Sequence, residues 1–249
     1  MAGESPILHV LEQGPILLST LGIDGCRFGW LGIWHKPEGF VWQMEASVWD
    51  LIATRACRRA FIDIPIGLSS KERRRCDSAA REFLGRAFSS SVFPTPVRGV
   101  LSAKSYAQAN TCHREICGRG LSKQSFFILP KIHEVDSLFK KDKKWQGKLR
   151  EAHPEVAFKA INGADLHSKK KTAAGFRERL DLLSALDPQV PELADEILSQ
   201  TKRSQVLPDD VLDAIYLAVM PQAGRLKTLP KTPDIDSEGL PMEICYFER

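Results

Sequence analysis

Residues 16–25 read ILLSTLGIDG and, together with GWLGIWH at residues 29–35, decide the fold of this chain. Both runs are apolar and rich in residues that favour strands, and the pair Asp24-Gly25 between them is typical of a tight turn. The two runs therefore predict a β-hairpin. The alternating run FVWQMEA at residues 40–46 predicts a third antiparallel strand.

A fourth strand is predicted by AFIDIPIGL at residues 60–68, which is short, apolar and closed by Pro65 and Gly67. Ser47 is placed to cap a helix through about Arg59, and such a helix can return the chain parallel to the first strand. Three meander strands, a helix and a further strand predict an α/β domain with a mixed sheet.

The remaining chain predicts a helical insertion followed by more of the sheet and its helices. Residues 69–147 are basic and polar with helical character, and we expect them to form that insertion. The sheet is expected to resume at KLREAH, residues 148–153, and Pro154 suits the first position of a helix. Further helices are predicted over about 174–186 and from LPDDVLDAIYLAVMPQAG at residues 207–224, with GLPMEICYF at residues 239–247 extended.

The amino-acid composition is typical of a globular protein and not of a disordered one. The 249 residues are 43% hydrophobic and 27% charged, which suffices for a full core, and we expect residues 16–249 to form a single domain behind a flexible leader at 1–15. No apolar run approaches the roughly 20 residues that span a bilayer. Six cysteines without CxxC spacing fit reduced thiols, so a cytoplasmic protein without a membrane partner is expected.

Two aspartates stand where strands rarely carry them. Asp24 and Asp63 each follow an isoleucine at the end of an apolar run, and an unpaired carboxylate is costly to bury there. Each alone is equally well explained as a turn or cap residue. If the two strands are neighbours, however, their carboxylates converge and need a cation, a proton or an arginine.

The last predicted helix carries three more acids. Asp209 suits a first helical turn, where carboxylates complement the helix dipole. Asp213 stands on a helix that is apolar nearly all round, which implies burial, and Asp210 lies three residues earlier on the same face. These oxygen donors, without a convergent Cys or His cluster, favour Mg²⁺ or Mn²⁺ over zinc, and two such ions can promote phosphodiester cleavage.

His153 and Glu155 flank Pro154 at another junction between a strand and a helix. Glu155 is equally well explained as an acid placed for the helix dipole or as a fifth ligand. His153 can contact substrate or carry a proton, because its ordinary pKa is near neutrality.

Basic residues gather in and beside the predicted insertion. Runs of lysine, including SKKK at residues 168–171, are more typical of a solvated face. The arginine fork suits phosphate, so we hypothesise that Arg75, Arg81 and Arg98 bind a phosphate backbone or a phosphorylated ligand. Nucleic acid, DNA or RNA, is therefore a candidate partner, whereas the net charge of +4 is too small to establish one.

Eight motifs in order resemble a known family, domain-of-unknown-function family 429, predicted nucleases of the ribonuclease H-like superfamily. The resemblance runs from about Leu18 to Phe247. The motifs are GIDGCRFGW, FIDIPIGL, RRCDSAAREFLGR, SSSVFPTPVRGVL, KIHEVD, HPEVAF, DDVLDA and GLPMEICY.

The resemblance implies a ribonuclease H-like fold with a five-stranded mixed sheet. It further implies that metal is bound by Asp24 on the first strand, Asp63 on the fourth, and Asp210 with Asp213 on the last helix, as in Holliday-junction resolvases. Glu155 falls in the family's HPE motif, to which no role is assigned.

Three functions remain open from the sequence. A metal-dependent nuclease is the leading hypothesis. A phosphotransferase or phosphatase acting on a small phosphorylated molecule is the alternative enzyme, although a second glycine-rich phosphate loop is absent from the sequence. A non-catalytic nucleic-acid-binding module is the third, since a fold alone does not determine activity.

Overall fold

A computed structural model describes residues 19–249 of the chain. The leader expected at residues 1–15 and the start of the first predicted strand at residues 16–18 lie outside the described residues.

The centre of the fold is a five-stranded mixed sheet, as predicted. Its order is β3-β2-β1-β4-β5, in which β1, β2 and β3 form an antiparallel meander and β4 runs parallel to both β1 and β5. The strands are β1 (Thr20–Gly25), β2 (Trp30–Lys36), β3 (Gly39–Glu45), β4 (Arg59–Ile62) and β5 (Leu149–Glu151).

Helices flank the sheet. They are α1 (Val48–Thr54), α2 (Arg75–Phe88), α3 (Tyr106–Cys117), α4 (Lys123–Phe127), α5 (Leu129–Lys141), α6 (Pro154–Asn162), α7 (Ala173–Ser184), α8 (Val190–Gln200) and α9 (Pro208–Val219). Ser47 caps α1 by accepting a hydrogen bond from the backbone N–H of Asp50. The helix ends at Thr54, earlier than predicted, because residues 55–58 carry the chain to the start of β4.

Two elements were not predicted. Helix α8 has buried residues at positions 190, 193, 194 and 197, a helical spacing that the sequence does contain. Strand β6 (Arg225–Ile235) pairs antiparallel with β7 (Pro241–Glu248) in a separate two-stranded sheet. Much of β6 is exposed and it contains two prolines, so its sequence lacks the apolar alternation that marks a strand.

The main sheet is buried on both faces. Alternate residues of β1 point to opposite sides, so Leu21 and Ile23 pack in one core cluster with α1 and α5. The other face, which carries Gly22 and Asp24, is covered by a cluster that includes α6, α8, α9 and β7. This second face is the one on which the acidic residues meet.

Gly22 explains how closely α9 approaches β1. A Cβ atom at Gly22 would clash with the backbone oxygen of Ala214 and the backbone nitrogen of Ala218. Glycine on the strand and alanines on the helix therefore let the two backbones lie against each other. Because Asp210 and Asp213 precede Ala214 on α9, this packing carries both acids to the end of β1.

Among the described residues, no helix has both the length and the apolar character needed to cross a lipid bilayer.

Candidate metal centre

Asp24 and Asp63 lie side by side at one end of the sheet. Strands β1 and β4 are parallel neighbours with Ile23 opposite Ile62, so the next residues on each are the two aspartates. The backbone N–H of Asp63 donates to the carbonyl of Ile23 at 3.1 Å, which extends the pairing to that point. The side chain of Asp24 is buried and that of Asp63 is partly exposed.

The first turns of α9 bring two more carboxylates to the same place. Asp213 is almost fully buried, and its Oδ1 atom has no hydrogen-bond partner among the described residues. Asp210 is partly exposed, and its Oδ2 accepts from the backbone N–H of Leu207 at 3.0 Å, so this carboxylate also caps its own helix. Strand and helix thus supply the acids that the sequence analysis singled out.

Burial and the charges of neighbouring acids raise the pKa values of three of these carboxyls. Burial, followed by repulsion from Asp63, Asp213 and Asp210, raises the pKa of Asp24 well above its usual range. Burial and the charge of Asp213 raise the pKa of Asp63 to about 7, and burial raises that of Asp210 to about 6. Asp24, Asp63 and Asp210 therefore keep their protons to a higher pH than usual, and a nearby cation would oppose that shift.

One cation in the described structure does reach them. The Nζ atom of Lys170 lies 2.8 Å from Oδ2 of Asp213 and forms a salt bridge with it. The charge of Asp213 raises the pKa of Lys170 despite its burial, and Asp63 and Asp24 act in the same direction. Lys170 comes from the 168–171 lysine run, which sequence analysis assigned to a solvated face; its neighbours in the run, Lys169 and Lys171, are exposed.

The carboxylates are grouped but not assembled around a metal position. Within residues 19–249, no three His, Cys, Asp or Glu side chains form a group that could hold a metal ion as they stand.

A cavity of about 330 Å³ opens onto the cluster. Asp24, Asp63 and Asp210 line it, whereas Asp213 is not part of its lining. Three lysines also line the cavity, namely Lys131, Lys170 and Lys171. Its apolar lining includes Val92, Phe93 and Ile128. Its volume is at the lower end of the range of about 300 to 1,000 Å³ that is usual for small-molecule sites.

Comparison with protein families matches residues 22–235 to the family described as Protein of unknown function (DUF429). The chain belongs to this family. Searches of curated proteins and of solved structures returned no match. The DUF429 match confirms the family that the motifs indicated, and it spans Asp24, Asp63, Glu155, Asp210 and Asp213.

Glu155, the acid in the HPE motif, is held in a buried ion pair. Nη2 of Arg179 lies 2.8 Å from both carboxylate oxygens of Glu155, and each residue is less than 5% exposed. Arg179 also donates to the carbonyl of Ser168 at 3.1 Å, two residues before Lys170. Glu155 lines the cavity, but its charge is balanced by this arginine.

His153 also lines the cavity, and its imidazole is neutral. Burial lowers its pKa, and its Nε2 atom lies 3.3 Å from the carbonyl oxygen of Ser91. A carbonyl only accepts, so the proton is on Nε2 and the buried Nδ1 is an acceptor. Nδ1 has no partner among the described residues.

The three arginines hypothesised to bind phosphate do not line the cavity. Arg75 is exposed and pairs with Asp234 at 3.0 Å, and Arg81 donates to the carbonyl of Val92 at 2.7 Å. Arg98 pairs with Asp136 at 2.9 Å and with Asp236 at 2.5 Å. The structure therefore engages each guanidinium in a contact within the chain, and the cavity takes its cationic side chains from elsewhere.

Sequence analysis missed a buried ionic group that also lines the cavity. Arg74 bridges Asp77, at 2.6 Å, and Glu151, at 2.7 Å, and all three line the cavity. The spacing of Arg74 and Asp77, three residues apart at the start of a helix, was a usable signal. Glu151 offered no such signal, because its partner lies 77 residues away.

Lys131 was also missed, although it belongs to the quoted motif KIHEVD. Its ammonium group donates to the carbonyl of Gly29 and lies 4.2 Å from the centre of the Trp30 ring. Burial lowers the pKa of Lys131, while the charges near it, including Asp24 and Asp210, oppose that change.

Proposed function

We propose that this chain is a divalent-metal-dependent phosphodiesterase, specifically a nuclease acting on DNA or RNA. One observation carries the proposal: carboxylates from β1, the end of β4 and α9 meet at one cavity, and the buried Oδ1 of Asp213 has no partner among the described residues. Buried carboxylates that repel one another are costly unless a cation compensates them.

The donor set suits Mg²⁺ or Mn²⁺, which prefer oxygen ligands. Asp24, Asp63, Asp210 and Asp213 would hold the metal, and Oδ1 of Asp213 accepts no hydrogen bond from residues 19–249. When bound, such an ion polarises a phosphate and makes a coordinated water more acidic.

The chain's own residues supply binding and orientation in the cavity. Lys131, Lys170 and Lys171 line the cavity and offer ammonium groups to phosphate oxygens. Nδ1 of His153 can accept a hydrogen bond from an attacking water or from a substrate hydroxyl. The apolar wall at Val92, Phe93 and Ile128 limits the water around the reacting group.

We also infer a ribonuclease H-like fold. The strand order β3-β2-β1-β4-β5 and the antiparallel meander of β1 to β3 are the arrangement that the family resemblance implies. The resemblance expects acids on the first strand, on the fourth strand and on the last helix. Asp24 lies on β1, Asp63 directly follows β4, and Asp210 and Asp213 lie on α9. These features support the inference without determining which phosphate ester is cleaved.

Metal binding and cleavage test this proposal in sequence. Calorimetric titration with Mn²⁺ at pH 8 is expected to show binding by the natural chain. In Asp213→Asn the Mn²⁺ affinity should fall about tenfold or more, since loss of a residue that only supports a metal ligand already costs about tenfold. Asp195→Asn, at an exposed site on α8, is the matched control and should bind like the natural chain. Single-stranded, duplex and branched DNA and RNA are then assayed with Mg²⁺ or Mn²⁺.

The outcomes separate the three functions. Metal-dependent cleavage that is lost in Asp63→Asn supports a nuclease. Absence of metal binding in the natural chain rejects the metal-dependent function. Metal binding without turnover of any ester points to a binding module.

A small phosphate ester is the second candidate substrate, because the cavity is small. About 330 Å³ accommodates one sugar phosphate or one nucleotide-sized group more readily than a double helix. Turnover of a phosphorylated sugar or nucleotide, with no cleavage of any polynucleotide, would favour this candidate over the nuclease.

A further inference from the structure

The ammonium group of Lys170 supplies a positive charge next to the buried carboxylates. This group is 2.8 Å from Oδ2 of Asp213, a carboxylate whose side chain is only 2% exposed. The other oxygen of Asp213 is buried without a partner among the described residues. Within residues 19–249, no other salt bridge reaches Asp24, Asp63, Asp210 or Asp213.

The backbone that carries Lys170 is anchored on both sides. Arg179 donates to the carbonyl of Ser168, and the hydroxyl of Thr172 donates to the carbonyl of Lys169 at 2.9 Å. Glu178 accepts from the backbone N–H of Ser168 at 3.0 Å. These bonds hold the backbone on both sides of Lys170, whereas within residues 19–249 its side chain is hydrogen-bonded through the ammonium group to Asp213 alone.

The salt bridge leaves the side chain of Lys170 partly exposed to solvent. It is one-third exposed and lines the cavity, so an alternative position in the cavity is open to it. A lysine ammonium is a compact charge on a flexible stem and can exchange one oxygen partner for another without moving the backbone.

We propose that Lys170 is a built-in counter-cation of the carboxylate cluster and that a divalent metal ion displaces it from Asp213. This inference rests on the proposed function. In the metal-free protein the ammonium neutralises Asp213; in the metal-bound protein it turns into the cavity and donates to a phosphate oxygen of the substrate. One lysine thus couples arrival of the metal to formation of the phosphate site.

Amine labelling of the natural chain tests the displacement directly. Lysines are acetylated with limiting reagent, with and without saturating Mn²⁺, and quantified by mass spectrometry. Release from the salt bridge is expected to raise labelling of Lys170 about fivefold, which is the scale of one partly exposed ion pair. Lys169, which is exposed and outside the cavity lining, is the internal control and should change little.

A pair of variants supplies the second measurement. Removal of the competing charge in Lys170→Met is expected to tighten Mn²⁺ binding at pH 8 about tenfold, whereas the matched Lys169→Met keeps the natural affinity. If Lys170→Met fails to fold, the labelling experiment still decides.

The results distinguish this inference from the proposed function. Mn²⁺ binding with unchanged or reduced labelling of Lys170, or with unchanged or weaker binding by Lys170→Met, overturns the displacement and leaves the metal-dependent function standing. Absence of Mn²⁺ binding in the natural chain and in both variants overturns both. Binding only in Lys170→Met overturns both, because the natural chain then binds no metal that could displace its lysine.

Discussion

Glu155 shows how a residue's surroundings decide its role. The sequence explained Glu155 equally well as an acid at the start of a helix and as a metal ligand. In the structure, both carboxylate oxygens of Glu155 accept hydrogen bonds from the guanidinium of Arg179. Two buried charges are costly to desolvate, and the pair is tolerable only because its geometry is good. Arg179 also donates to the carbonyl of Ser168, so the pair connects the start of α6 to the segment that carries Lys170.

Removal of one partner of this pair should be severely destabilising. Arg179→Met leaves the Glu155 carboxylate buried and unpaired, so we expect the free energy of unfolding to fall by about 3 kcal/mol. Urea denaturation measures the change. Arg75→Met is the control, since that arginine is exposed in its pair with Asp234 and should change stability by less than about 1 kcal/mol. Equal losses in the two variants would contradict the buried-pair interpretation.

At the level of elements, the contact of β1 with α9 determines whether the acids meet. The strand end and the helix start are 186 residues apart between Asp24 and Asp210, and they come together because Gly22 has no side chain. Parallel pairing of β1 with β4 adds Asp63. The site therefore depends on one close packing contact as much as on its acids.

Enlargement of Gly22 tests this dependence. In Gly22→Ala the new methyl group meets the backbone of α9, which cannot rotate away, and we expect a loss of about 3 kcal/mol in the free energy of unfolding. Mn²⁺ binding should weaken as well, because α9 carries two of the acids.

Gly163→Ala is the matched control for this substitution. Gly163 ends α6 with φ of 71° and has no atom near its missing Cβ, so alanine costs only about 1 kcal/mol of backbone strain there. Equal stability of the two variants, with unchanged metal binding in Gly22→Ala, would show that α9 does not depend on close contact with β1.

For the whole molecule, the grouped acids predict how stability varies with pH. The carboxyl pKa of Asp63 is raised to about 7 and that of Asp210 to about 6, above the value of about 4 expected when unfolded. The folded state therefore holds protons that the unfolded state releases. The contribution of these groups to stability is fully present below about pH 4 and is lost as the pH rises through 6 to 7.

Asp63→Asn tests this dependence in metal-free buffer. The variant should be more stable than the natural chain at pH 8, by about 1 to 2 kcal/mol since the coupled acids share the repulsion, and the difference should vanish near pH 4. Thermal and urea denaturation across this range measure it, with Asp195→Asn as the control at an exposed site. A difference that grows toward low pH would have the wrong sign and would contradict the raised pKa.

Two arginines of the predicted insertion, residues 69–147, form ion pairs that link distant parts of the chain. Arg98 joins residues from three parts of the chain by pairing with Asp136 and Asp236, and Arg74 joins Asp77 to Glu151. These arginines hold elements together, and the lysines at the cavity face the acids instead.

The amino-acid sequence alone predicted the strands of the main sheet, the meander of the first three and the four aspartates, because apolar periodicity and turn residues act locally and an acid at a strand end is conspicuous. It did not mark strand β6. The tertiary structure alone decided which charges pair. Lys170 reaches Asp213 across 43 residues and Arg74 reaches Glu151 across 77. Such partners depend on which surfaces pack together, and a charged residue in a sequence carries no local mark of the distant charge that it will meet.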